Sequence, residues 1–209
     1  NGNYTYEDGK VKITSGGSYS ISMTEKGATT TTDSIEIEKD LEVDLSLNNV
    51  SIDLSSEKEE GKGVALKIGE GAKVNLEIGF GGTLKSGRAS AGIELAENAE
   101  LTITSFGGSY GILTVAGGGS GAGIGGPVGS KGGKVTIKEG TIYATGGNIG
   151  GAGIDAREVV IDGGIVYATG GDLGGAGIGG SSATRDGGSS ENRNGGIVTI
   201  NNGEVTAMG

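Results

Sequence analysis

The chain has 209 residues, a formal net charge of −10, 48 glycines, and neither cysteine nor histidine. Without cysteine there are no disulfides or thiolate metal sites, and without histidine the usual general base is missing. The acidic balance argues against nucleic acid, which is held largely by Lys and Arg on phosphates, and no run is long or apolar enough to imply membrane insertion.

Residues 1–60 carry short runs in which apolar and polar residues alternate. Val11 and Ile13, Tyr19 and Ile21, and Ile35 and Ile37 are such pairs, and 41–47 and 50–54 continue the pattern. A period of two marks strands with one buried face. These residues are expected to form opening strands and an N-terminal cap. The charged stretch 55–62, with Glu57 and Glu60, reads as a solvated loop, and no helix of useful length is expected.

From residue 61 onward the chain repeats itself. Gly-Ala-Gly-Ile stands at 121–124, 151–154 and 175–178, each time at the head of a unit. In the middle copy Ile154 is followed by Val159, Val160 and Ile161, then by Ile165, Val166 and Tyr167, with glycine pairs at the turns. Weaker copies begin at Leu66 and Ile93, so the register residue falls at 66, 93, 124, 154 and 178, with gaps of 27, 31, 30 and 24. Constant apolar runs joined by corners of variable length are the mark of stacked repeats. Glycine supplies positive φ and close approach at those corners.

The expected fold is therefore all-β: a right-handed parallel β-helix, a single-stranded β-solenoid of triangular section with one run per side. One domain spans 1–209, with 61–209 as the repeat coils. Its aliphatic interior is expected to include Ile93, Ile103, Ile124, Ile154, Ile161 and Ile178, and near the end Val198 and Ile200. The opening at Asn1 and the end at Gly209 fall in the middle of the pattern. They suggest a trimmed piece of a longer exported protein, with end-to-end contact through the C-terminal coil.

Several phrases in order resemble a known family. They are Tyr19-Ser20-Ile21, Val43 to Ile52, Val74-Asn75-Leu76, Ala91-Gly92-Ile93, Leu101-Thr102-Ile103 and the Gly-Ala-Gly-Ile of 121–124. Their sequence from about residue 10 onward is similar to that of glycine-rich β-helix surface proteins of Gram-positive bacteria. It also looks like bacterial β-helix carbohydrate-binding domains that hold acidic plant polysaccharide, in which calcium sites occur. The resemblance implies an extracellular or cell-surface location and a non-catalytic adhesive or carbohydrate-binding role. The partner would be a polysaccharide or a host or cell-surface glycan. It carries over no catalytic residue. A purely structural stalk is the alternative.

Three groups of residues are candidates for a site. Thr114, Tyr143, Tyr167 and Thr206 align in one outward column, where Tyr143 and Tyr167 would offer ring surface to a sugar or simply tie adjacent coils together. Thr102, Thr136, Val160 and Thr199 form a second column, too interrupted for an ice-binding threonine array. The long corners 125–133 and 179–196 should emerge on one side and frame a cleft with Asp155, Arg157 and Glu158 on its floor. Arg185 and Asn192 on the second loop would join Asp155 and Arg157 in carbohydrate binding. Asp155, Asp172, Asp186 and Glu191 are the oxygen donors for calcium, the one cofactor in view, although no calcium-loop motif is present. A polysaccharide lyase or hydrolase built from Arg157 and the aspartates, Asp162 among them, is the least favoured reading, for want of any catalytic signature.

Overall fold

A computed structural model describes residues 3–23, 30–60, 62–107, 111–181 and 195–209. Alternation sets the strands. In Glu42–Asn48 the side chains of Val43, Leu45 and Leu47 are buried while Glu42 and Asp44 are exposed, and Lys73–Ile78 repeats the pattern with Val74, Leu76 and Ile78. Each fully buried aliphatic side chain contributes about 1.5–3 kcal/mol, so a one-residue slip would turn all three outward and is strongly disfavoured.

Among the described residues nineteen strands form two sheets, one of thirteen strands and one of six. The chain opens with an antiparallel hairpin, Tyr4–Glu7 on Lys10–Ile13, turned by Asp8 and Gly9 at φ of 49° and 69°. Asp-Gly is the dipeptide that takes up two successive positive φ values, and this turn matches the twist of antiparallel strands. Every further strand pairing is parallel. The larger sheet runs from the hairpin through Ser34–Ile37, Leu66–Ile68, Ile93–Leu95 and Ile124–Gly125 to Ile154–Ile161. There it curls and returns through Gly132–Ile137, Glu100–Ser105, Lys73–Ile78 and Glu42–Asn48 to Gly17–Ser22. The smaller sheet stacks Ser51–Asp53, Gly82–Arg88, Ile112–Gly118, Thr141–Thr145, Ile165–Thr169 and Glu204–Met208.

This topology corrects the expected single-stranded right-handed parallel β-helix. The strands do not form three sides of one run each; they form a curled mixed sheet and a separate parallel one. Two local causes are visible. The Asp8-Gly9 turn makes the first pairing antiparallel, so the large sheet is mixed. In addition, the unit beginning at Ile154 carries no inserted corner, so one eight-residue strand, Ile154–Ile161, pairs with Ile124–Gly125 through its first residues and with Gly132–Ile137 through the rest. Hydrogen bonding passes through the bend without a break and merges what the repeat pattern suggests are separate sides.

The register expected from the repeat does hold. Leu66, Ile93, Ile124, Ile154 and Ile178 are successive partners, and a single aliphatic cluster extends from Ile13 to Ala168 between the sheets. Ile178 is only partly buried against it. Val198 and Ile200 depart from expectation, being 42% and 54% exposed. Their strand, Ile197–Ile200, pairs only with Ile154–Ile161 among the described residues, so nothing described covers the side chains that their counterparts Val159 and Ile161 bury.

The repeated phrase has a steric origin. Gly121, Gly151 and Gly175 lie directly above one another, and a Cβ at any of them would strike the carbonyl of the unit before, that of Ser90, Gly121 or Gly151 respectively. None of the three has positive φ; what they provide is close approach of backbones. The alanines that follow Gly121 and Gly151, Ala122 and Ala152, are buried.

Candidate functional site

The smaller sheet aligns Thr114, Tyr143, Tyr167 and Thr206 as direct neighbours. Side chains on either side of this column, Ile142 and Ala144 or Val166 and Ala168, are fully buried, so period-two geometry directs the column outward. Tyr143 is 42% exposed and Tyr167 is half-buried. Their rings stack with centroids 4.9 Å apart and planes 9° from parallel. Carbon contact distance is ~3.6 Å, so rings this far apart must be offset by about 3 Å. Each ring therefore covers part of the other and leaves the rest of that face open. The stack ties two units together and still presents a slanted aromatic step flanked by Thr114 and Thr206.

The residues expected on the cleft floor divide between a groove and a buried site; of the second corner loop, 182–194 lie outside the described residues. Arg157 and Glu158 do line a groove of about 340 Å³, together with Glu97, Glu100 and Lys134. Its charges are paired: Arg157 Nη1 lies 3.5 Å from Glu97 Oε1 and donates to Asn98 Oδ1 at 3.2 Å, and Lys134 Nζ donates to Glu158 Oε1 at 2.8 Å. That hydrogen bond also raises the Lys134 pKa. Asp155 is not on the floor. It is 5% exposed, and its Oδ2 accepts from the Ser181 backbone N–H at 3.0 Å and from the Ser181 hydroxyl at 2.9 Å. Ser181 Oγ in turn accepts from the Ala152 N–H at 3.0 Å. The carboxylate thus staples the curl of the large sheet to the segment that follows Ile178. Its neighbour in register is Gly125, where a Cβ would come within 3.1 Å of that of Asp155. Asp155 Oδ1 is buried and has no hydrogen-bond partner among the described residues.

Of the expected calcium donors, only Asp155 and Asp172 lie among the described residues. Asp172 is exposed on a separate turn, and no cluster of three or more acidic side chains suited to a metal occurs among the described residues. Asp186, Glu191, Arg185 and Asn192 lie outside the described residues.

Two features escaped the sequence reading. Glu94, a neighbour of Lys67 and Gly125 in register, is only 7% exposed. Burial pushes its pKa up, while Lys67 and a hydrogen bond from the Ala91 N–H work against that shift. The pattern Ile93-Glu94-Leu95 announces an outward glutamate and gives no sign that its corner is covered. The second is an apolar recess of about 380 Å³ near the N-terminus, bordered by Val11, Ile21, Met23, Ile35 and Val50.

Compared with protein-family models, curated proteins and solved structures, the chain matches none.

Proposed function

We propose that this chain is a non-catalytic, extracellular or cell-surface module that binds carbohydrate through the outer face of its six-stranded sheet. The observation that carries the proposal is the offset-stacked, partly exposed Tyr143–Tyr167 pair on a flat strip of threonines. Aromatic surface receives the C–H face of a sugar ring, and fixed hydroxyls beside it satisfy the sugar's own hydroxyls. Parallel strands repeat every ~4.8 Å along the column, which suits a linear polymer lying across successive units. Arg157, in the charged groove on the other sheet, contacts Glu97 and Asn98 through Nη1, and the buried Asp155 holds Ser181. Neither supports sugar contact at that corner as directly as the tyrosines do on theirs. The low charge of the last unit, with Glu204 alone ionisable among residues 195–209, and its exposed Val198, Ile200 and Met208 support an additional end-to-end contact with a second copy of the chain.

Retention of the protein on immobilised polysaccharide tests the main proposal. Binding lost on Tyr143→Ala/Tyr167→Ala, with the fold intact by circular dichroism, is the expected result. Binding by the double variant equal to that of the parent removes the tyrosines from the site.

A further inference from the structure

Resting on that carbohydrate-binding reading, we infer that the ligand is a neutral polysaccharide, held without calcium. The argument is electrostatic. Three consecutive strands, Ile112–Gly118, Thr141–Thr145 and Ile165–Thr169, make the centre of the six-stranded sheet, and none contains Asp, Glu, Lys or Arg. Their outward positions are filled by threonine, isoleucine, alanine and the two tyrosines. The nearest ionisable groups on the same sheet stand on the strands that flank these three. Lys85 and Arg88 of Gly82–Arg88 lie beside Ala116 and Gly118 and are held 3.6 Å from Asp53 and 3.5 Å from Glu60; on the other side Glu204 lies beside Ile165.

A uronic-acid polymer laid along the Tyr143–Tyr167 column would therefore meet no unpaired cation on the central strands. Each carboxylate would give up hydration without a charged partner in return, which binding energetics penalise heavily. It would also approach a protein of formal charge −10, whose field repels polyanions. Calcium cannot reconcile the two, because the central strands offer no carboxylate to share a cation with the polymer. A neutral polymer meets none of these penalties. Its hydroxyls find the hydroxyls of Thr114, Thr141, Thr145 and Thr169, and its apolar face finds the tyrosine step. A threonine face of this kind thus selects by the absence of charge as much as by contact.

The test is affinity electrophoresis of the full chain through gels containing a galactomannan, a mixed-linkage β-glucan or polygalacturonate, each with calcium and again with EDTA. Retardation by at least one neutral polymer, unchanged by EDTA, is expected, with none by polygalacturonate. Tyr143→Ala/Tyr167→Ala should weaken the neutral interaction about tenfold or more, since each tenfold corresponds to only ~1.4 kcal/mol. Thr145→Lys, at an exposed position, should leave the fold unchanged and confer retardation by polygalacturonate. Retardation of the parent by polygalacturonate, lost in the tyrosine variant, would overturn the neutral class while keeping a carbohydrate site on this face. Neutral binding that the tyrosine variant retains would overturn the site. No retardation by any polymer would overturn the carbohydrate reading itself.

Discussion

Replacing Asp155 separates two roles that one carboxylate plays in this fold. In Asp155→Ala the Ser181 N–H and hydroxyl both lose their acceptor, at 3.0 and 2.9 Å, in a place where Asp155 and Ser181 are 5% and 4% exposed. A hydrogen bond to a charged acceptor is worth ~1.5–3 kcal/mol, so two amount to about 3–6 kcal/mol, a large part of the stability of an ordinary domain. Asp155→Asn keeps an acceptor oxygen in the same position but makes both bonds neutral and sets an amide NH2 where Oδ1 has no described partner; it should cost less than the alanine variant, about 1–3 kcal/mol. Urea titration followed by far-ultraviolet circular dichroism measures both, and an unchanged denaturant slope confirms that stability alone has moved. A loss below about 1 kcal/mol for the alanine variant would refute the stapling role. An asparagine variant as unstable as the alanine one would show that the charge, not the acceptor, is what the site requires.

Three further outcomes follow from the same structure. Gly151→Ala drives a methyl group into the Gly121 carbonyl, and rigid backbone cannot yield, so a loss of about 3 kcal/mol or more is expected; Gly81→Ala, at φ +63° with open space around it, should cost only about 1–2 kcal/mol in thermal or urea melts. Burial raises the Glu94 pKa in the folded protein, so its contribution to stability is present at acid pH and is lost as pH rises through that folded value. Glu94→Gln should therefore melt higher than the parent at pH 7, with the difference vanishing as pH falls below the ordinary 4.5. Finally, light scattering over a concentration series should show growth in mass for the parent and none for Val198→Asp/Ile200→Asp; a parent that stays monomeric at every concentration removes the end-to-end contact.

What the sequence determined is the register and the column. Isoleucines repeating at the head of each unit fix which residues become partners, because any other alignment turns an aliphatic side chain to water; that alone places Tyr143 beside Tyr167. The Asp8-Gly9 hairpin escaped the sequence reading, although the dipeptide carries a strong turn preference. Sheet assignment was decided only in three dimensions. The missing insertion after Ile154 lets the strand run through 155–157, but the contact that covers this bend comes from Ser181, 26 residues from Asp155, and no local pattern records it. The same applies to Glu94 and Asp155, which as letters look like solvated acids. Their burial comes from what the next turns of chain lay over them, and only the assembled structure specifies that cover.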